Sequence, residues 1–193
     1  QGYIMTFHTI FHRTLAGAVA ALALSGAACA ADYSFNLQSF LPAQATIPSK
    51  IIDVWADKIE EASGGRIEIN RYAAMQLGGK PPDLIDQVLD GVIDITWNVV
   101  GYTPGRYPST EVFELPFLVT DAGPASAAFW KMLEADIAER EFGNLKMLGG
   151  WVHGPGVIHA NKAVTVPSDF NGMKIRGASR QVNAMLKELG ATP

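Results

Sequence analysis

The stretch Val92-Ile93-Asp94-Ile95-Thr96-Trp97 decides the fold class of this chain. It holds more β-branched and aromatic residues than a strand with one solvent-exposed face requires, which is typical of a parallel strand covered on both faces. Alternation of apolar and polar residues predicts two earlier strands, over 32–41 and 67–70. A helical pattern lies between each pair of strands, so the predicted order is β-α-β-α-β, that of a doubly wound α/β sheet.

Both connecting helices are predicted from apolar residues that recur every three or four positions. The first spans 49–62 and ends at Gly64-Gly65, a pair suited to the left-handed backbone that follows many helices. The second begins at Pro81-Pro82, which fit a first helical turn, and ends at Asp90-Gly91. These two helices supply the crossovers that parallel strands need.

A second α/β unit is predicted after Thr120, where we place a domain boundary. Thr120 or Asp121 can cap a helix whose apolar residues include Phe129 and Leu133. Further along, Ser179 can cap a last helix. Between these helices, apolar stretches predict three strands, over 145–151, 157–160 and 173–176.

The two units correspond to an expected first domain over 31–120 and a second over 121–193. The chain stops after a helix, where another strand would begin. A second sheet of so few strands would leave an open edge, which folded proteins avoid. We therefore expect residues 121–193 to be the start of a larger domain, and the chain to be the N-terminal part of a longer protein.

Residues 1–30 are expected to be an export signal and not part of the fold. A basic stretch precedes an apolar run too short to span a bilayer, followed by Ala28-Cys29-Ala30, an A-x-A cleavage pattern. We expect cleavage after Ala30, and the residues before Met5 are interpreted as an upstream remnant. A single membrane anchor and a lipoprotein acylated on Cys29 are the alternatives.

The composition excludes several classes of function. The formal net charge is −4 and no block of lysine or arginine occurs, so no nucleic-acid partner is predicted. Without Cys29, the only cysteine, the mature chain has no disulfide and no thiolate to bind a metal. Its two histidines, His153 and His159, have no acid or cysteine between them, so no metal site is predicted.

Motifs of enzymes and of cofactor sites are also missing from the sequence. No G-x-S-x-G nucleophile motif occurs. The stretch Gly78-Gly79-Lys80-Pro81-Pro82 has a lysine but not the Walker spacing, and its prolines remove N–H donors that a phosphate-binding loop needs. We predict neither catalysis nor a cofactor.

Arg176 is the first candidate for a ligand-binding residue. It ends the predicted strand 173–176, and ligands of open α/β sheets bind at the carboxyl ends of strands. A guanidinium fits the two oxygens of a carboxylate. One charged hydrogen-bond pair contributes about 1.5–3 kcal/mol, whereas micromolar affinity needs about 8 kcal/mol. Apolar contacts must supply much of the rest, and the aromatic candidates are Phe40, Trp97, Tyr102 and Trp151.

Three polar residues complete the predicted ligand site. Asn98 follows the third strand and could donate a hydrogen bond, although a turn residue needs no such role. Arg180 opens a helix, where a cation opposes the helix dipole, and either a ligand anion nearby or solvation of the side chain would explain it, with solvation the preferred interpretation. His153 is a candidate for ligand contact, whereas His159 is interpreted as structural.

Six motifs, in this order, give the chain a resemblance to one family. They are Gly64-Gly65-Arg66-Ile67-Glu68-Ile69, Gln76-Leu77-Gly78-Gly79, Leu89-Asp90-Gly91-Val92-Ile93-Asp94, Glu114-Leu115-Pro116-Phe117-Leu118, Gly172-Met173-Lys174-Ile175-Arg176 and Leu189-Gly190-Ala191-Thr192-Pro193. The chain resembles the periplasmic solute receptors of tripartite ATP-independent periplasmic (TRAP) transporters, the DctP-type family. The resemblance implies a two-domain venus-flytrap protein of the periplasm, incomplete here, that binds an organic anion and delivers it to membrane permease subunits.

The resemblance also implies a role for Arg176, because an arginine on the corresponding strand grips the ligand carboxylate in that family. Many members have a second arginine in the segment that corresponds to 151–161, and this chain has none there. The departure argues against a sugar acid or dicarboxylate and leaves room for a monocarboxylate, for example an aromatic or bulky one. Two alternatives stay open: an exported receptor for a sensor kinase and, more remotely, a secreted α/β hydrolytic enzyme.

Overall fold

A computed structural model describes residues 30–193, and its sheet has three parallel strands. They are β1 (Tyr33–Ser39), β2 (Ile67–Tyr72) and β3 (Ile95–Trp97), in the spatial order β2-β1-β3. In the central strand, Leu37 pairs with Arg71 of β2 and with Ile95 of β3. The predicted β-α-β-α-β order of a doubly wound sheet is confirmed, although β3 is only three residues long.

The export signal predicted for residues 1–30 and its cleavage after Ala30 rest on residues 1–29, which lie outside the described part of the chain. Cys29 and its possible acylation lie outside it too. Among the helices of residues 30–193, none is both long enough and apolar enough to cross a membrane.

Two helices connect the strands, as predicted. A π-helical turn at Pro48–Ile52 continues into α1 (Asp53–Ala62), and a 3-10 turn at Pro81–Asp83 continues into α2 (Leu84–Leu89). Each begins with proline in its first turn, where a missing N–H donor costs no hydrogen bond. After α1 the chain turns through Gly64, whose φ of 66° is accessible to glycine without steric strain.

The second half of the chain contributes one long helix and one short helix. Asp121 caps the long helix by accepting a hydrogen bond from the Gly123 N–H at 2.8 Å. The long helix runs without a break through α3 (Ala122–Met132), a π-helical segment (Leu133–Ile137) and α4 (Ala138–Phe142). The short helix is α5 (Arg180–Glu188), and Ser179 caps it as predicted.

Apolar residues form two buried clusters. The first lies between the sheet and α1 and consists of Leu37, Ile52, Ala56 and Ile69. The second packs α3 and α4 against residues from earlier in the chain, and consists of Ile85, Tyr107, Phe129, Leu133, Ile137 and Phe142. Because Ile85 and Tyr107 precede Thr120, this second cluster spans the predicted domain boundary, which stays a prediction.

Two of the three strands predicted in the second half are wrong. The segments 145–151 and 157–160 are irregular, and Val157 is 71% exposed. Their apolar pattern favours an extended backbone, but a strand is stable only when a neighbour takes up its N–H and C=O groups. Within residues 30–193, no neighbouring segment forms a ladder with either of them.

The third predicted strand, 173–176, is reduced to a single bridge. Lys174 pairs with Thr192 in parallel, and two backbone hydrogen bonds of 2.7 and 3.0 Å join this segment to Thr192. The bridge follows a 3-10 turn at Pro167–Phe170 and directly precedes the loop that leads into α5. Arg176 therefore still lies close to the start of a helix, although a bridge replaces the predicted strand.

Candidate functional site

Four aromatic side chains form a continuous row at the carboxyl edge of the sheet. Phe40 follows β1 and Trp97 ends β3, and their ring centroids lie 5.3 Å apart in a stacked arrangement. Tyr102 tilts against Phe40 at 5.5 Å, and Trp151 stacks on Trp97 at 6.4 Å. The structure thus brings together all four aromatic residues that the sequence proposed for ligand contact.

The row can offer ring surface to a ligand because its members are not sealed in a core. Phe40, Trp97 and Tyr102 are half-buried, and Trp151 is exposed. The parallel register of β1 and β3 places Ser39 beside Trp97, so the two strands deliver neighbouring aromatic residues to the same edge. Each stacked aromatic pair stabilises the fold by about 0.5–1.5 kcal/mol beyond the effect of burial, so these contacts help to hold the four rings in place.

A cavity of about 640 Å³ lies where the chain after β3 meets the start of α5. Its lining includes Gly101 and Tyr102 on one side and Arg176, Arg180 and Asn183 on the other. This volume falls within the range of small-molecule sites in proteins. Tyr102 belongs both to the cavity and to the aromatic row, so the two features are continuous.

Arg176 lines this cavity with an exposed side chain. Among residues 30–193, no carboxylate lies within ion-pair distance of it and no side chain or backbone oxygen accepts a hydrogen bond from it. Its planar set of N–H donors can therefore bind a carboxylate from solvent through two parallel hydrogen bonds.

Arg180 also lines the cavity, but its guanidinium is paired. Its Nη2 donates to Glu111 Oε2 at 2.5 Å, and the Gln181 amide donates to the same oxygen at 2.6 Å. The other oxygen of Glu111 accepts the Gly105 N–H at 2.7 Å. The hydrogen bond from Gly105 and the ion pair with Arg180 lower the pKa of the buried Glu111 carboxyl, against the opposing effect of desolvation.

Asn98 has an amide group that is only half satisfied. Its Oδ1 accepts the Val99 N–H at 2.8 Å, whereas its Nδ2 is buried and has no hydrogen-bond partner among the described residues. A buried donor without a partner costs about 1–3 kcal/mol, so an acceptor supplied by a ligand would be favourable. Asn98 directly follows Trp97 and thus lies beside the aromatic row.

His153 lies on the irregular segment that carries Trp151. Its ring is exposed, and its Nδ1 lies 2.7 Å from the Gly154 carbonyl oxygen. His159 is exposed as well. In the described part of the chain, no three His, Cys, Asp or Glu side chains are arranged to hold a metal ion.

Two residues of this region were missed by sequence reasoning. Glu111 was missed because its side-chain partners, Arg180 and Gln181, lie 69 and 70 positions further along the chain. Asn183 lies one turn into α5, and its Oδ1 is buried against Gly177 without a hydrogen-bond partner among the described residues. The helical pattern after Ser179 could have indicated that Asn183 shares a helix face with Arg180, since the two are three positions apart.

Comparison with known proteins identifies relatives with solved structures. A TRAP solute-binding protein from Rhodoferax ferrireducens, solved with copurified benzoate, is 45% identical and superimposes with a TM-score of 0.79. A marine metagenome TRAP solute-binding protein specific for aromatic acids, solved with 3-hydroxybenzoate, is 44% identical with a TM-score of 0.79. Each match covers 83% of this chain and 50% of the other chain. Both are solute-binding proteins and not enzymes, in line with the prediction from the sequence.

Among curated proteins, the outer membrane transporter protein TsaT of Comamonas testosteroni is 28% identical over 183 residues. This match covers 94% of the present chain and 54% of TsaT, so the chain spans about half the length of this relative, as it does of the solved structures. The family model described as bacterial extracellular solute-binding protein, family 7, matches residues 39–193. The chain therefore belongs to the DctP family of TRAP solute-binding proteins.

Proposed function

We propose that this chain forms the ligand-gripping part of an extracytoplasmic receptor that binds a small organic acid through Arg176. The observation that carries the proposal is the position of Arg176, an exposed guanidinium in a cavity that is continuous with the row of aromatic residues. A carboxylate on an aromatic ring would match both features. Family membership supports capture of a solute, because the family consists of extracellular solute-binding proteins.

We further propose that the ligand is an aromatic monocarboxylate. The two similar structures hold benzoate and 3-hydroxybenzoate, and the segment 151–161 has no second arginine. A single charged hydrogen-bond pair leaves several kcal/mol of a micromolar affinity to other contacts. The faces of Tyr102, Phe40 and Trp151 supply such contacts, and Asn98 and His153 supply polar ones.

The remaining features of the receptor are proposed from the sequence and the family. Export through residues 1–30, with cleavage after Ala30, would place the protein in the periplasm, where it would deliver ligand to the membrane permease subunits of a TRAP transporter. The cavity between residues 101–105 and 176–188 would be the cleft of a venus-flytrap protein, with domains over 31–120 and from 121 onward. Closure of the two domains on the ligand would shift the population toward the delivery-competent form.

The direct test is the binding of benzoate to the full-length receptor by titration calorimetry. Arg176→Ala is expected to weaken binding about 10- to 150-fold, which corresponds to the loss of one charged hydrogen-bond pair. Arg176→Lys keeps the charge but not the planar donor set, so it should restore only part of the affinity. Arg66→Ala, at an exposed arginine after α1, should stay within about twofold of wild type. Equal affinities for Arg176→Ala and wild type would refute the assignment.

A further inference from the structure

The clearest feature of the cavity beyond Arg176 is a buried carboxylate behind its wall. Glu111 is 6% exposed and accepts hydrogen bonds from Gly105, Arg180 and Gln181. These donors belong to the two walls of the cavity, because Gly105 follows the lining residue Pro104, and Arg180 opens α5. These three hydrogen bonds orient the carboxylate toward Arg180.

This arrangement lowers the number of guanidinium groups in the cavity that are available to bind a ligand carboxylate. Arg176 and Arg180 both line the cavity, but the charge of Arg180 is balanced by Glu111 at 2.5 Å. Lys187 and Glu188 also line it, and their charges are opposite in sign and lie on exposed side chains that solvent screens. Arg176 is therefore the one guanidinium in the described cavity without a carboxylate at ion-pair distance.

One further acid bears on the charge of the cavity. The carboxylate of Glu114 packs closely against Gly101, a lining residue. It adds a negative charge behind the same wall as Glu111. Both acids therefore oppose a second carboxylate on the ligand.

We infer that Glu111 is a specificity-determining residue, which neutralises Arg180 and thereby restricts the cavity to ligands with one carboxylate. A dianion that binds a guanidinium with each carboxylate would need Arg180 as its second partner. To reach it, the ligand would have to displace a buried carboxylate and leave that charge without its partner, which is strongly unfavourable. This inference rests on the proposed function, because it assumes that Arg176 binds the first carboxylate.

The test compares benzoate with phthalate, which carries a second carboxylate on the same ring, by calorimetry on the full-length receptor at low ionic strength. Glu111→Gln keeps the shape of the side chain and removes its charge, so Arg180 becomes available. The affinity ratio of phthalate to benzoate is expected to rise about tenfold or more, because a freed charge acts strongly at short range in a partly buried site. An unchanged ratio would overturn the inference.

A double variant separates the effect of charge from a change of shape. In Glu111→Gln/Arg180→Met the whole pair is removed, so the ratio of phthalate to benzoate should return to within about threefold of the wild-type value. If Arg180 binds a second carboxylate in wild type despite Glu111, this variant should instead lose phthalate about tenfold relative to benzoate. The double variant leaves no unpaired buried charge, so it also decides the question if Glu111→Gln alone does not fold.

Glu141 offers a matched control in the same chain. Its side chain and that of Glu111 are both 8% exposed, and the arginines they pair with, Arg140 and Arg180, are both 55% exposed. Glu141 accepts from Ser109 and does not line the cavity. Glu141→Gln should therefore leave the ratio unchanged, and a rise equal to that of Glu111→Gln would contradict the local mechanism. A wild-type receptor that binds neither acid would count against the proposed function, whereas benzoate binding with no response to Glu111→Gln counts only against this inference.

Discussion

The two halves of the chain respond differently to the same kind of sequence pattern. In residues 33–97, alternation predicts the first two strands and a run of β-branched and aromatic residues predicts the third, and these strands pair in register around Leu37. In residues 145–176, apolar stretches also predict strands, but the chain there is irregular except for one bridge. The difference shows that the apolar pattern determines whether a segment tends to be extended. A strand also needs a neighbouring segment to bond its backbone N–H and C=O groups, and the pattern does not identify that segment.

Removing one apolar side chain from each half tests whether the two halves differ in packing. Leu37→Ala is expected to lower the free energy of unfolding by about 2–5 kcal/mol, because Leu37 is 4% exposed between the sheet and α1. Leu148→Ala, in the irregular segment, should change it by less than about 0.5 kcal/mol, because Leu148 is 57% exposed. Urea unfolding of the chain, followed by circular dichroism, measures both. Equal losses would mean that segment 145–151 is packed as firmly as β1.

The first half also holds its carboxyl edge in place through a buried polar residue. Gln38, fully buried in β1, accepts the Leu77 N–H at 2.6 Å and donates to Gln87 at 2.7 Å. Gln38→Ala is expected to cost about 1–3 kcal/mol of unfolding free energy, because it leaves these groups without partners. The exposed Gln76 is the matched control, and its change to alanine should stay within about 0.5 kcal/mol in the same urea experiment. If both changes lower the unfolding free energy equally, the hydrogen bonds of Gln38 do not stabilise the loop that contains Leu77.

The sequence predicted the first half well because its information is local. The helix of 49–62 and the glycines that follow it are set by neighbours a few positions away. In the second half, the cap at Ser179 is local in the same way, and it was predicted too. The four aromatic candidates could be proposed one by one from their positions near strand ends. That they contact each other could not be predicted, because the contacts depend on the strand order β2-β1-β3 and on the path of the chain to Trp151.

The rest escaped prediction for one physical reason, namely distance along the chain. Nothing in Thr110-Glu111-Val112 distinguishes Glu111 from an ordinary surface acid. Only the fold places Arg180 next to it. The same holds for the segments 145–151 and 157–160, because whether an apolar segment becomes a strand depends on a pairing partner elsewhere in the chain. Fold class and the candidate arginine therefore follow from sequence, whereas the charge balance of the cavity does not.

The last prediction concerns the pH dependence of stability, to which we expect Glu111 and Asp169 to make small contributions. The pKa of Glu111 is lowered chiefly by the Gly105 hydrogen bond and then by Arg180, and that of Asp169 chiefly by backbone N–H donors of Thr165 and Val166. A carboxyl whose folded pKa lies below its unfolded value stabilises the fold above the unfolded pKa, and this contribution is lost as the pH falls through the folded pKa. Asp169 lies in the second half of the chain, and Glu111 accepts hydrogen bonds from Arg180 and Gln181 of that half.

Stability should therefore decline from about pH 5 downward, where unfolded carboxyls begin to take up protons. In Glu111→Gln the decline should be shallower, because one group whose pKa differs between the folded and unfolded states has been removed. Asp169→Asn should flatten it further, independently of the first change, since the two acids share no partner. Urea midpoints measured at half-unit steps between pH 3 and 7 would detect this difference. If the single variants keep the full wild-type dependence of the urea midpoint on pH, the acid sensitivity comes from other groups. The hydrogen bonds and ion pair of Glu111 then do not stabilise the contact between α5 and the 3-10 turn at Thr110–Glu114.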